Sequence, residues 1–343
     1  LISRSITGEE SNGNCLAPAI SADGLSVAFE SYATNLSAYD NNGARDIYAW
    51  NKRTGKVQLI SRSPSGESGN SESMEPSVSG DGSVIAFSSN ASNIVAASNG
   101  GVNVFVHDVL SGNTQLISKD YETGKGAGGS VPSISEDGNR IAFCSFSYKL
   151  TKNDNNNLWD IFLWQSGVPD LKRISITSAG GERDQGTESS SRIVSPAISG
   201  NGKMIAYATT ATNVVPGDNN GVQDIFVYNI ETGEIKRVST DKTGLEGNND
   251  SPISQGERVG ISYDGSWISF NTNADNLGVA KGNILLKNTV TNSIIPVTNI
   301  ATGSTGRPLL SRFGSYVIAG TSEKYDKRYS SSGIITFYIN AAK

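Results

Sequence analysis

One histidine and two cysteines in 343 residues leave little material for a zinc site or for histidine-assisted nucleophilic catalysis. His107 lies in the strand-like VFVHDV, where a packed or surface imidazole is expected rather than a catalytic one. Cys15 and Cys144 have no metal-motif spacing, and Cys144, inside RIAFCSF, is expected to be a buried free thiol. No apolar run approaches the ~18 residues needed to span a bilayer, so membrane insertion is not expected. No signal peptide is visible and the chain does not begin with Met, which leaves secretion open. Lys and Arg total 28 against 33 Asp and Glu, a net charge of −5 with no basic stripe, which argues against nucleic acid as a partner. The Gly-x-Ser-x-Gly elbow of serine hydrolases is missing, and no segment carries a convincing helical period.

What is present is a repeat. A Ser-x-Asp-Gly turn leads into an apolar run in SADGLSVAFES (21–31), SGDGSVIAFSS (79–89) and SEDGNRIAFCS (135–145). It returns as SGNGKMIAYAT (199–209), SYDGSWISFNT (262–272) and a degenerate SRFGSYVIAGT (311–321). Asp-Gly between apolar runs predicts a tight hairpin in which both central residues accept a positive φ. A third strand follows a longer loop in each copy (DIYAW, NVFVHD, DIFLW, DIFVY, NILLK, IITFYI). A fourth closes five of them (VQLISRS, TQLISKD, LKRISIT, IKRVSTD, IIPVTN). Four antiparallel strands per unit of this length fit one β-propeller blade.

The sixth unit stops without a fourth strand, while the chain opens with LISRSITGEE, close to LISRSPSGES at 59–68. The expected fold is therefore all-β, a six-bladed β-propeller of four-stranded antiparallel blades forming a single domain over residues 1–343. Residues 1–5 complete the last blade and close the ring, which protects sheet edges and ties down both termini. A tandem of sandwiches does not explain the split repeat. Ala28, Ala86, Ala142 and Ala206 recur where neighbouring sheets approach. The aromatics after them, Phe29, Phe87, Phe143, Tyr207 and Phe270, are expected in the core.

The stretch SADGLSVAFESYATNL…DNNGARDIYAWNKRTGKVQLIS resembles the WD40-like repeat of the TolB-type six-bladed propellers, and the resemblance extends over essentially the whole chain. It implies the propeller fold and an extracellular, cell-surface or periplasmic protein. It does not fix an activity, because this fold serves binding proteins, peptidase caps and some polysaccharide lyases.

DNNGARDIYAW (40–50), DNNNLWDIFLW (154–164) and DNNGVQDIFVY (218–228) place oxygen-bearing residues at alternate positions before the third strand. Calcium wants six to eight oxygens from such a loop. The candidate ligands are Asp40, Asn42, the Ala44 carbonyl and Asp46, then Asp154, Asn156 and Asp160, then Asp218, Asn220 and Asp224. The alternative is that these residues only build turns, since Asp and Asn bond their own backbone. The second and fifth units keep Asn103 and Asn283 before the strand and lose the first acid, a pattern that suits a structural role for the last position. Glu72, Glu75, Trp159, Arg192, Arg258 and Arg307 are candidates for a polar, partly aromatic rim on the same loop face. The expected function is that of a secreted or cell-surface, calcium-stabilised, monomeric binding module for a protein or a glycan. The alternative is a polysaccharide lyase or glycoside hydrolase with its site in the central pocket.

Overall fold

The computed structural model describes residues 1–184, 195–252, 258–298, 305–321 and 333–338, with side chains described to residue 319 except those of 305–307. The apolar runs form strands and the turn residues separate them. The first sheet holds β1 (Cys15–Ile20), β2 (Ser26–Ser31), β3 (Asp46–Asn51) and β4 (Lys56–Leu59). The second holds β5 (Ser73–Val78), β6 (Val84–Ser89), β7 (Asn103–Asp108) and β8 (Thr114–Leu116). The third holds β9 (Ser130–Ile134), β10 (Arg140–Ser145), β11 (Asp160–Gln165) and β12 (Lys172–Arg173). The fourth holds β13 (Ala197–Ile198), β14 (Met204–Thr209), β15 (Asp224–Asn229) and β16 (Ile235–Arg237). The fifth holds β17 (Gly260–Ile261), β18 (Trp267–Thr272), β19 (Asn283–Asn288) and β20 (Ile294–Pro296). The sixth has three described strands, β21 (Thr305–Leu310), β22 (Tyr316–Thr321) and β23 (Gly333–Tyr338). Each sheet runs in sequence order, so hairpins make every connection within it.

The chain divides into two compact units, Leu1–Asn157 with Phe162–Arg173 and Leu158–Ile161 with Ile174–Lys343. In the first unit the seams between sheets are filled as the repeat predicts. Ala28, Ala86 and Ala142 are fully buried, and cross-strand aromatic pairs stack beside them. Phe29 lies on Tyr48, Phe87 on Phe105 and Phe143 on Phe162, with ring centroids 5.6–5.9 Å apart. In the second unit Ala206 and Phe270 are fully buried, and Tyr207 stacks on Phe226 at 5.9 Å.

The Ser-x-Asp-Gly turn departs from expectation. Gly24 has φ +68°, whereas Asp23 is not among the residues of positive φ, so the two-residue hairpin with both centres left-handed is not formed. The Gly24 N–H reaches Ser21 O at 2.9 Å, Asp23 Oδ1 accepts from Ser21 Oγ and the Leu25 N–H, and Ser21 Oγ accepts the Ser26 N–H. Side-chain acceptors fix the turn, and glycine alone takes the left-handed position.

A second irregularity lies in the first strands. Ala17, Glu75 and Val131 have φ of +43°, +59° and +56°, a conformation uncommon outside glycine, and the strand register shifts beside each. Two of these bulges are held by carboxylates. Glu30 Oε1 accepts the Glu75 N–H at 2.6 Å, and Glu75 Oε2 accepts the Val131 N–H at 2.7 Å.

Residues 1–5 form no named strand. Their described hydrogen bonds are local, and the Arg4–Glu10 bridge matches Arg62–Ser68, Ile176–Glu182 and Thr240–Glu246 beyond other fourth strands. The conformation is that of a fourth-strand end, as the match to residues 59–68 anticipates. Closure by pairing with β23 is not among the described hydrogen bonds.

Candidate functional site

In the first five blades the loop before the third strand ends in the same device. Asp46, Asn103, Asp160, Asp224 and Asn283 are fully buried and each accepts a hydroxyl from the end of the fourth strand. The donors are Ser61 (2.5 Å), Ser118 (3.4 Å), Ser175 (2.5 Å), Ser239 and Thr298 (2.8 Å). The same hydroxyl oxygen takes the N–H of the next residue, from Ile47 to Ile284, at 2.8–3.0 Å. The device closes a backbone gap between third and fourth strands, which is why Asp and Asn interchange there.

The asparagine of the loop is also committed. Asn42 Nδ2 donates to Asp46 Oδ2 and to Gly69 O, while its Oδ1 accepts the Ala44 N–H at 2.6 Å. Asn220 repeats this with Asp224 Oδ2 (3.1 Å), Gly247 O (2.8 Å) and the Val222 N–H (3.0 Å). Asn99 does the same in the second sheet, donating to Gly126 O at 2.5 Å and accepting from Asn103 at 2.9 Å, although no acid opens that loop. In the first and fourth sheets the loop asparagine thus turns its nitrogen, not its oxygen, toward the carboxylate.

The first acid of each loop has a partner that the sequence reading did not assign. Asp154 Oδ1 lies 3.0 Å from Arg173 Nη1 on β12. Arg237, at the equivalent place on β16, puts Nη1 3.2 Å from Asp218, 3.6 Å from Asp224 and 2.8 Å from Glu246. In the first sheet that place holds Leu59, and Asp40 Oδ2 instead accepts the Tyr48 hydroxyl at 2.5 Å. Tyr48 is replaced by Phe162 and Phe226 where the arginines occur, and in the second sheet, where the acid is Ala97, Phe105 and Leu116 offer neither donor. Acid and donor therefore come and go together in the first four blades. Asp160 is further approached at 3.5 Å by Nε of the buried Arg183, which replaces the glycine found at 69 and 247.

Burial sets the electrostatics. It pushes the Asp46 carboxyl up to about 7 and that of Asp224 to about 6, despite the serine bonds that oppose the shift. Asp218, Asp224 and Glu246 bring carboxylate oxygens within 4.8 Å of one another, the arrangement a cation would use, and Arg237 Nη1 contacts all three. Asp40 Oδ1, in contrast, is buried with no hydrogen-bond partner among the described residues.

The rim residues are distributed differently from the sequence expectation. Arg45 lies 3.0 Å from Glu30 and 3.2 Å from Glu72, while Glu75 is tied to Glu30 by its backbone N–H and spends its carboxylate on Ser88 and the Val131 N–H. Neither Arg45 nor Glu30 was expected; the sequence signal is a glutamate inside the apolar strand SVAFES. Trp159 is half-buried, and its carbonyl accepts from Arg183 at 2.6 Å. Arg258 is half-buried. Arg192 lies outside the described residues, and the Arg307 side chain outside the described side chains. His107 is fully buried, with Nδ1 2.8 Å from the Thr114 hydroxyl, and burial lowers it to about 4. Cys144 is the expected buried thiol, and Cys15 is exposed.

No protein-family model matches the chain, and comparison with curated proteins finds no significant match. Solved structures are similar in fold. The β-propeller domain of the Trilobed protease from Pyrococcus furiosus, described as having an open velcro topology, superposes with a TM-score of 0.54 at 12% identity over 91% of this chain and 80% of its own. Acylaminoacyl peptidase from Pyrococcus horikoshii gives 0.52 at 12% identity over 94% of this chain and 44% of its own. TolB from Acinetobacter baumannii gives 0.50 at 19% identity over 88% of this chain and 58% of its own. The chain is a six-bladed β-propeller. Five blades are four-stranded and the sixth shows three described strands. The chain thus spans 58% of that TolB and 44% of that peptidase, and identities this low carry the fold alone.

Proposed function

We propose that this propeller is a binding module without catalytic turnover. One observation supports the reading above others. The carboxylates that the sequence marks most strongly are used inside the blades. Asp46, Asp160 and Asp224 have no exposed surface, and each accepts a serine hydroxyl. Raised carboxyl pKa values at Asp46 and Asp224 would ordinarily flag an acid–base site. Here they follow from burial within the sheet. Recognition chemistry is left to loops and blade rims, the usual carriers of specificity on a rigid scaffold.

A cation role is proposed for the loop of the first blade only. There Asp40 and Asp46 have no arginine at position 59, whereas Arg173 and Arg237 supply positive charge in the third and fourth blades. Calcium suits carboxylate and carbonyl oxygens, and a loop with two carboxylates implies modest affinity. The resemblance to TolB-type repeats favours a location outside the cytoplasm, in the periplasm, at the cell surface or secreted. The purified chain, presented to glycan arrays and to extracellular protein baits, should retain ligand without altering it. Cleavage of a polysaccharide, abolished by one acidic or basic substitution, would replace the binding reading with the lyase or hydrolase one.

A further inference from the structure

We propose that the groove between the outer rims of the second and third blades binds a short neutral oligosaccharide, with Trp164 and Tyr121 as its aromatic faces. The proposal rests on the binding-module reading and names a ligand class and a place for it.

The groove encloses about 730 Å³, within the range of small-ligand sites. One wall is β8 with the connector that follows it. The other is Trp164 on β11 with the turn before β12. Related recesses of about 520 and 360 Å³ occur beside the first and fifth blades, lined in turn by Trp50 and Lys287. These residues share the fifth position of the third strand, which reads Trp50, His107, Trp164, Tyr228 and Lys287 along the chain. The second position of the same strand is Ile or Val throughout, and the third is Tyr, Phe or Leu. The fifth position varies in chemistry and in burial: Trp50 and Trp164 are half-buried, whereas His107, Tyr228 and Lys287 are buried.

A second irregularity falls at the same groove. The bridge after the fourth strand joins residues six apart at Arg4, Arg62, Ile176 and Thr240, but Lys119 pairs with Gly126, seven apart. This longer connector carries Tyr121, a residue 42% exposed whose N–H is anchored on Lys149 O at 3.0 Å. The connector thus presents an aromatic ring at the groove without packing it into the core.

The polar lining defines the ligand. Thr151 Oγ1 is buried at the groove with no hydrogen-bond partner among the described residues. Gln115 adds an amide, and Lys119, Lys152, Asp120 and Asp170 contribute two charges of each sign. Aromatic faces accept the C–H faces of pyranose rings, and mixed donors and acceptors suit hydroxyls. Balanced charge does not favour an anion. An extended peptide added to β8 would find a strand of three residues, too short for a sustained ladder.

Titration calorimetry and saturation-transfer NMR with cellotetraose, maltotetraose, chitotetraose, xylotetraose and mannotetraose test this. At least one is expected to bind saturably with a dissociation constant below about 10 mM, and Tyr121→Ala and Gln115→Ala to weaken it at least about tenfold. Trp164→Ala should do the same; because Trp164 also packs on the core, the two exposed-site variants carry the test if that one unfolds. The proposal is overturned if none of the five binds, if binding survives both exposed-site changes, or if a neutral valine–threonine hexapeptide binds in their place. Sugar binding lost instead in Glu72→Ala would move the site to the loop face and leave the binding-module reading standing. Cleavage of the bound sugar would overturn that reading itself.

Discussion

Glu30 Oε1 accepts the backbone N–H of Glu75 at 2.6 Å, so a carboxylate on β2 holds the left-handed bulge of the next blade's first strand. Glu30 is 3% exposed and also pairs with Arg45 at 3.0 Å. Glu30→Ala should leave a buried N–H and a half-buried guanidinium short of acceptors, at a cost of about 2–4 kcal/mol. Glu30→Gln should cost less, because it keeps an acceptor for Glu75. Urea unfolding of both variants checks this, and equal losses would remove the bulge contact from the account.

Asp46 makes stability pH-dependent. Its folded pKa of about 7 lies above the unfolded value of about 3.9, so the folded state binds the proton more tightly. The stabilisation from this group is complete below about pH 4 and is lost as pH rises through about 7. Asp46→Asn should flatten that part of the profile and raise stability at pH 8 by about 1 kcal/mol or more, since Asn103 and Asn283 already fill the position in other blades. Melting from pH 4 to 8 is the measurement. An unchanged slope would mean that Asp46 titrates at its ordinary value.

Calcium and arginine should exchange roles. Millimolar Ca²⁺ is expected to raise the wild-type melting temperature, and Asp40→Ala to remove most of the rise, while Asp154→Ala and Asp218→Ala leave it. A ligand confined to the native state contributes about 2.7 kcal/mol at one hundred times its dissociation constant. Arg237→Met, which strips the cation from Asp218, Asp224 and Glu246, should cost about 3–5 kcal/mol and add a second calcium response. A melting curve indifferent to chelator in wild type and variant alike would leave these loops as turns.

Deleting residues 1–5 should lower the melting temperature markedly, because the sixth blade has three described strands and LISRS matches the end of a fourth. The shift is read against the intact chain by differential scanning calorimetry. An unchanged midpoint would show that the fold does not depend on this closure.

The sequence by itself determined the repeat, the strand order and the core. Spacing is a local property: an alanine and an aromatic recur four and five residues after the turn glycine in the first four units, and Ala28, Phe29, Ala86 and Phe87 are buried as that spacing predicts. It also showed that Asp and Asn exchange before the third strand, which already pointed to structure at that position. Tertiary structure alone decided what each loop acid does. Asp40 meets Tyr48, Asp154 meets Arg173 and Asp218 meets Arg237, through donors 8 to 19 residues away on adjacent strands. One loop pattern therefore hides different electrostatic surroundings. A carboxylate's role depends on the charge and hydrogen bonds brought beside it by folding, and the spacing of DNNGARD carries no record of either.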